Sequence, residues 1–230
     1  MTMRRLRLPL VLTLALATLV AQAGTSLALF TDSKAAAANT FGSGTWAFYL
    51  HNNPTPPAGD TAAQVNLVMN ATTPTAATLY QYSTGCVARA GRRITRAAPN
   101  PNQATACNYV NWRTPMLAAT LRLSGATTVD IWSAADAANA NRTAGIVAYL
   151  RDFNPAGTGS YTEIANGLFT TTYAIGRTFY HYPITVTVAT AYTVPVGHQL
   201  ELKLVASNAY QAAVLVAYDT TTYRSYLRVR

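Results

Sequence analysis

The sequence predicts an all-β protein, an antiparallel β-sandwich of jelly-roll type that follows a cleaved signal peptide. Only 11% of its 230 residues are charged while 50% are hydrophobic, and 14 tyrosines make the composition typical of strands. Apolar and polar residues alternate along several segments, and short turns rich in Gly, Pro or Asn separate them. Numerous strands at this spacing favour a sandwich or jelly roll. Only residues 134–141 look helical.

The first 28 residues have the features of an export signal. A basic start with three arginines precedes an apolar run over residues 8–20, which is too short to span a bilayer comfortably. Small-x-small cleavage motifs end at Ala23 and at Ala28. The alternative is a retained amphipathic helix or anchor. We predict cleavage, which leaves a mature protein that is secreted or at the cell surface and does not span a membrane.

A pattern after the apolar run is typical of one group of exported proteins. It comprises residues 24–32 (GTSLALFTD) and residues 39–45 (NTFGSGT). The pattern resembles the N-terminus of the TasA/camelysin group, whose members are processed by a SipW-type signal peptidase and in several cases form biofilm-matrix fibres. The resemblance implies cleavage between Ala28 and Leu29 by such a peptidase. The mature chain then begins with an extended segment over residues 29–45, which can add to a neighbouring sandwich as an edge strand.

Residues 46–230 are predicted to form a single β-sandwich domain. Residues 184–194 and 200–204 alternate, with apolar side chains on one face and Thr, Glu or Lys on the other. Residues 146–150 and 212–218 are apolar on both faces, which is typical of strands that are covered on both sides. We find no linker that would divide the block into two domains and no internal repeat.

The block from residue 117 to the end carries a second resemblance. Its residues 148–155 (AYLRDFNP), 164–167 (IANG) and 194–202 (VPVGHQLEL) form three motifs. Together they resemble the jelly-roll accessory domain of CocE/NonD and X-prolyl peptidase hydrolases. In those enzymes the catalytic Ser, Asp and His lie in a separate domain. The resemblance therefore implies a galactose-binding-like sandwich that stands without the catalytic domain.

The two cysteines, Cys86 and Cys107, are predicted to form a disulfide. Pairing is the simplest arrangement in an exported protein, because a metal or redox pair favours closer spacing or histidine neighbours. The bridge would close residues 83–108, which show no periodicity and are predicted as an irregular loop. It should stabilise the fold by roughly 3 kcal/mol.

Four arginines lie inside that loop and form a candidate anion patch: Arg89, Arg92, Arg93 and Arg96. Guanidinium groups suit oxyanions, so the patch could bind phosphate, sulfate or an acidic polysaccharide. The alternative is a solvated loop with no ligand. Nucleic acid is not an expected partner, because the sequence contains no nucleic-acid-binding motif.

Catalytic motifs are absent from the sequence, so no enzymatic activity is expected. There is no His-Glu-x-x-His zinc motif and no Gly-x-Ser-x-Gly nucleophile motif. The histidines are His51, His181 and His198. The scattered carboxylates are Asp60, Asp130, Asp152 and Asp219. No cofactor is expected, although one or two of these carboxylates could hold a structural Ca²⁺; Asp152 is more typical of a turn cap.

Aromatic residues supply the stronger binding signal, and Trp46, Trp112 and Trp132 form a candidate ligand surface. Aromatic faces stack on sugar rings, but tryptophans are also common fillers of sandwich cores.

Two hypotheses about function therefore stand. The protein is a structural cell-surface or extracellular-matrix protein that self-associates through its N-terminal segment, or it is a stand-alone module that binds carbohydrate or another ligand, with polysaccharide as partner.

Overall fold

The computed structural model describes residues 45–52, 67–79, 81–82, 86–87, 89–156 and 159–230. These residues form strands, turns and bends and no helix, which confirms the predicted all-β class. The predicted signal peptide, its cleavage site between Ala28 and Leu29, and residues 29–44 of the N-terminal segment lie outside the described residues. Within the described ranges, no helix has the length and hydrophobicity that crossing a membrane requires.

The described residues contain fourteen strands, numbered here in chain order. Their bounds are β1 (Trp46–His51), β2 (Leu67–Asn70), β3 (Gln81–Tyr82), β4 (Arg89–Ala90), β5 (Arg92–Ile94), β6 (Arg96–Ala97), β7 (Tyr109–Arg113), β8 (Leu121–Ala135), β9 (Arg142–Asn154), β10 (Ser160–Tyr173), β11 (Tyr180–Val194), β12 (Gln199–Ser207), β13 (Val214–Ala217) and β14 (Tyr226–Val229). The expected short helix over residues 134–141 is wrong, because β8 continues to Ala135 and a bent connection follows.

Twelve strands form one mixed sheet, whose main path runs β10-β9-β12-β7-β2-β1-β14-β8-β13-β5. In addition β11 pairs with β8 and β6 pairs with β12, while β3 and β4 form a separate ribbon. Most pairs are antiparallel, but β2 runs parallel to β7 and β6 runs parallel to β12. The prediction of a purely antiparallel arrangement is wrong at these two pairs. Their strands are far apart in the chain, so no hairpin imposes opposite directions on them.

Strands β10 and β11 approach each other closely at Gly167. A Cβ atom at this position of β10 would lie 2.1 Å from the carbonyl oxygen of Thr185 in β11. Glycine is therefore required here by the close approach of two backbones.

Alternating segments place their apolar side chains in one large core, as the sequence predicts. Leu200, Leu202 and Leu204 of β12 are fully buried. Residues 146–150 of β9 are buried at every position, and so are residues 212–218, which confirms that both segments are covered on both faces.

The outer face of β12 is also covered, in contrast to what its alternation predicts. Glu201 and Lys203 lie opposite the inward leucines, yet they are only 0% and 3% exposed. Part of the cover is the segment before β7. The Lys203 ammonium donates to the carbonyl oxygen of Gln103 at 2.5 Å, and Arg151 of β9 donates to the carbonyl of Pro101.

The predicted disulfide between Cys86 and Cys107 is present, with the two Cα atoms 5.7 Å apart. The carbonyl oxygen of Cys107 also accepts a hydrogen bond from the backbone N–H of Thr95 at 2.6 Å. The enclosed region is not an irregular loop throughout, because it contains β4, β5 and β6. Strands of two or three residues are too short to produce a detectable alternation.

Candidate ligand-binding cleft

A cleft of about 490 Å³ lies beside the outer faces of β7, β9 and β12. Its walls include cationic side chains and aromatic rings, chiefly Tyr109, Arg113, Arg151, Tyr161 and Lys203. These residues come from four strands. All except Tyr161 alternate with a core residue on their strand, so the buried core positions also fix where those side chains project.

A buried carboxylate holds the two arginines of the cleft in place. Glu201 is fully buried, and its Oε2 accepts hydrogen bonds from Nε of Arg113 at 2.7 Å and from Nδ2 of Asn111 at 2.9 Å. Its Oε1 accepts from Nε of Arg151 at 2.8 Å and from a second nitrogen of the same guanidinium. A carboxylate bonded in this way fixes both guanidinium planes.

Aromatic rings cover the faces of the same guanidinium groups. The Arg113 guanidinium carbon lies 3.7 Å from the Phe153 ring centroid, and that of Arg151 lies 3.8 Å from the Tyr161 ring centroid. The two rings are 4.7 Å apart, so cations and rings form one stacked unit. Tyr161 is 41% exposed, which leaves part of its ring open to a ligand. Burial and then the charge of Glu201 raise the pKa of its phenol, which therefore stays protonated at neutral pH.

Lys203 is a third cation of the cleft, and it is nearly buried. Its Nζ lies 4.3 Å from the Tyr109 ring centroid. Burial, followed by the positive charge of Arg151, lowers the pKa of the Lys203 amine from its ordinary value of 10.5 to about 8. The charged amine therefore costs folding free energy at neutral pH, because the unfolded chain holds the proton more tightly.

We expect the stability of the protein to rise with pH relative to a Lys203→Met variant. With a folded pKa of about 8 against 10.5 when unfolded, the unfolded chain binds more protons between these values. The cost is complete below pH 8 and is relieved above it, by about 2 kcal/mol between pH 7.5 and 9.5. Urea unfolding of both proteins across this range measures the difference, and the titration of the tyrosines near its upper end cancels because both proteins contain the same tyrosines. Parallel stability profiles would contradict the burial of a charged Lys203.

Three of the four arginines of the predicted anion patch lie in or around one cleft beside Asp136, and the fourth does not. Arg92 is 1% exposed and belongs to the interior, so its inclusion in an exposed patch is wrong. Arg89 and Arg93 donate to the carboxylate of Asp136, at 2.9 and 2.5 Å. Arg96 donates to the carbonyl oxygen of Tyr210 at 2.7 Å.

The three tryptophans do not share a surface. Trp112 is 0% exposed and packs edge-on against Tyr218, so it is a core residue and its place in an exposed ligand surface is wrong. Trp46 is half-buried and packs against the core. Trp132 is half-buried, with ring centroids of His181 and Tyr223 at 5.3 and 5.4 Å. Of the three tryptophans, only Trp132 lies in a partly exposed cluster of aromatic rings.

Each histidine lies beside one of the scattered carboxylates. The three pairs are His51 with Asp219 at 2.7 Å, His181 with Asp130 at 3.6 Å, and His198 with Asp152 at 2.8 Å. Asp152 also accepts from the Tyr192 hydroxyl at 2.9 Å, so both its oxygens are engaged. Among the residues that the structure describes, no three His, Cys, Asp or Glu side chains converge as metal ligands. Asp60 lies outside the described residues, and structural Ca²⁺ stays a prediction.

The cleft residues were not among the predicted site residues, and only one sequence signal pointed to them. Glu201 and Lys203 interrupt a run of leucines in β12, and such charged residues need partners if the strand is central. Their partners Asn111, Arg113 and Arg151 lie 50 to 90 residues away in sequence from Glu201. The alternation of residues along one strand contains no information about contacts with residues so far away in the sequence.

The described part of the chain is thus an all-β domain with one mixed sheet and a cationic–aromatic cleft beside it. No protein family model matches the chain. No curated protein matches it in sequence.

Solved structures do share the fold. An aminopeptidase from the marine sediment archaeon Thaumarchaeota archaeon matches with a TM-score of 0.56 at 11% identity, covering 80% of this chain and 36% of the aminopeptidase. A CocE/NonD family hydrolase from Staphylococcus aureus matches with a TM-score of 0.54 at 9% identity, covering 81% of this chain and 36% of the hydrolase. At such identities the likeness shows the fold alone. This chain spans about a third of the length of either enzyme. The structural likeness supports the resemblance to CocE/NonD-type proteins, whereas the resemblance to the TasA/camelysin group stays a prediction.

Proposed function

We propose that the protein is an exported ligand-binding module of jelly-roll type that binds acidic polysaccharide in the cationic–aromatic cleft. The observation that carries the proposal is the stacked unit of Arg113, Arg151, Phe153 and Tyr161 on the buried carboxylate of Glu201. Its side chains are already ordered, so a ligand would bind with little loss of side-chain entropy.

The charge of the cleft favours an acidic ligand. Three cations, Arg113, Arg151 and Lys203, face one carboxylate, Glu201, which leaves an excess of positive charge. Nε of Arg113 donates to Glu201 and one Nη donates to the Tyr161 hydroxyl at 2.5 Å. Among the described residues the remaining Nη has no acceptor, and the Lys203 ammonium has one. Both can donate to a sugar carboxylate.

The rings favour a sugar over a simple anion. Tyr161 is 41% exposed and Tyr109 is half-buried, so both rings keep accessible apolar surface that can contact the C–H side of a pyranose. A uronic acid residue presents both a C–H face and a carboxylate. A polymer of uronic acids therefore satisfies the two features of the cleft together.

A Tyr161→Ala variant should bind tetragalacturonate about five- to tenfold more weakly than the natural protein, because one stacking face is lost. Isothermal titration calorimetry at low salt measures the change, and a neutral galactose tetrasaccharide should bind more weakly than tetragalacturonate. Tyr223→Ala is the matched control, because Tyr223 belongs to the separate Trp132 cluster. Loss of binding in Tyr223→Ala and not in Tyr161→Ala would move the site to the Trp132 cluster and refute the proposal.

Export is part of the proposal. The disulfide supports an oxidising compartment, where such bonds persist. The likeness to about a third of two hydrolases supports a role like that of an accessory domain, with ligand binding rather than catalysis as its task. A galactose-binding-like jelly roll is the sandwich type that we infer from the same likeness.

Self-association is a second candidate function and would make the protein a structural component of the cell surface or matrix. Thr45, the residue before β1, is exposed at the surface of the domain. Residues 29–44 could thus reach a neighbouring molecule and pair as an edge strand. Processing by a SipW-type peptidase belongs to this proposal.

A further inference from the structure

A second cleft, of about 390 Å³, lies around the carboxylate of Asp136 at the end of β8. Five arginines surround this carboxylate or line the cleft. They are Arg89, Arg93, Arg96, Arg142 and Arg177. None of these residues takes part in the cationic–aromatic cleft. We call this place the arginine cleft.

Asp136 organises three of the arginines and cannot neutralise them. Its side chain is 3% exposed, and it accepts from Nε of Arg93 at 2.5 Å, of Arg89 at 2.9 Å and of Arg177 at 3.2 Å. Burial raises the pKa of this carboxyl, but the hydrogen bonds from Arg93 and Arg89 outweigh burial and hold the pKa below its ordinary value of 3.8. One fixed negative charge therefore stands against three positive charges.

Two further arginines add to the excess. Arg96 of β6 donates to the carbonyl oxygen of Tyr210. This acceptor is neutral, so the positive charge of Arg96 is not compensated by it. Arg142, the first residue of β9, also lines the cleft. In the described part of the chain, no carboxylate lies within salt-bridge distance of either side chain. Five positive charges and one negative charge thus meet in and around the cleft.

The frame that holds these side chains is built from backbone contacts. The Asp136 N–H donates to the carbonyl of Ala213 at 2.8 Å, and the Arg177 N–H donates to the carbonyl of Ala135 at 2.9 Å. A Cβ at Gly176 would lie 2.0 Å from the carbonyl oxygen of Ala137. The β8–β9 connection and the β10–β11 connection are therefore in close contact here. Alanines dominate the rest of the lining and leave the space between the arginines open.

We propose that the arginine cleft binds a tetrahedral dianion, a phosphate or sulfate group. The guanidinium groups that line it come from three strands, Arg93 from β5, Arg96 from β6 and Arg142 from β9. Donors on three separate strands can each bind a different oxygen of a tetrahedral group, whereas a single guanidinium is enough for a planar carboxylate. Thr95 and Gln211 add neutral polar groups to the same wall.

The test is calorimetric titration with inorganic sulfate at constant ionic strength, on the natural protein and on two variants. Arg96→Gln combined with Arg142→Gln should weaken sulfate binding at least about tenfold, because two charged donors are lost. Arg122→Gln is the matched control, since it removes an exposed arginine of β8 that lies outside the cleft, and it should change binding less than about twofold. Equal weakening in both variants, or unchanged binding in the double variant, would overturn the proposal.

Two sources could supply such a group, a free anion or an ester on a polymer. A second titration uses a sulfated disaccharide in place of sulfate. Tighter binding than that of sulfate, abolished by the double variant, assigns the cleft to a sulfated glycan; equal or weaker binding with the same loss assigns it to the free anion. Binding of either probe that the double variant leaves intact contradicts the site. Since the arginine cleft shares no residue with the cationic–aromatic cleft, its failure would leave the first proposal standing.

Discussion

Replacing Glu201 with Gln is expected to lower the free energy of unfolding by about 3–5 kcal/mol. The substitution keeps the shape of the side chain but removes the only carboxylate that pairs with Arg113 and Arg151 in the described part of the chain. Those side chains are 13% and 3% exposed, so two nearly buried guanidinium groups would lose their counter-charge. Urea unfolding at neutral pH measures the change.

Glu163→Gln provides the matched control for this substitution. Glu163 is exposed on β10, where it accepts a hydrogen bond from Asn166 at 2.6 Å. Its replacement should change the free energy of unfolding by no more than about 0.5 kcal/mol. Equal effects of the two substitutions would mean that Glu201 does not hold the arginines together. Because the Glu201 carboxylate also orients the guanidinium groups of Arg113 and Arg151, Glu201→Gln should weaken binding of tetragalacturonate as well.

Removing the disulfide is expected to have the second largest effect, a loss of roughly 3 kcal/mol in the free energy of unfolding. The paired replacement of Cys86 and Cys107 by Ser opens the loop between two positions that are 21 residues apart in sequence. Without the bridge the unfolded chain gains conformational freedom. In the folded state, the disulfide no longer restrains Cys107, whose carbonyl oxygen accepts a hydrogen bond from the Thr95 N–H.

Dithiothreitol gives an independent check on the disulfide prediction. The reductant should destabilise the natural protein by a similar amount and should have no effect on the double serine variant. If the natural protein is equally stable with and without the reductant, the bridge does not contribute to the folded state as proposed.

The sequence predicted the fold class well because strand burial follows local pattern. Residues 146–150 and 212–218 are apolar at every position and are buried at every position. The same reasoning was wrong for β12, whose Glu201 and Lys203 alternate with leucines like a solvent-facing row. Their burial depends on the segment around Pro101 and Gln103, which covers the strand from outside. The residue pattern along β12 gives no indication that another segment of the chain covers this strand.

The binding sites were harder to predict for the same reason. Arg89 and Arg93 were identified as anion-binding candidates, but Asp136, which holds them, lies more than 40 residues further along the chain. Residue type alone assigns Trp112 to a ligand surface, whereas its position on the inward face of β7, which it shares with Val110, buries it completely. Residue type indicates what a side chain can bind, and only the strand pairing decides whether a ligand can reach it.

The most direct test of the proposed function is to map where an acidic sugar binds. Side-chain and amide NMR resonances of the natural protein would be followed during titration with tetragalacturonate. We predict that the perturbed resonances cluster at Tyr109, Arg113, Tyr161 and Lys203 and that those of Trp132 and Tyr223 stay unchanged. Perturbation confined to Trp132 and Tyr223, or no perturbation at millimolar tetragalacturonate, would contradict the assignment of the cationic–aromatic cleft as an acidic-polysaccharide site.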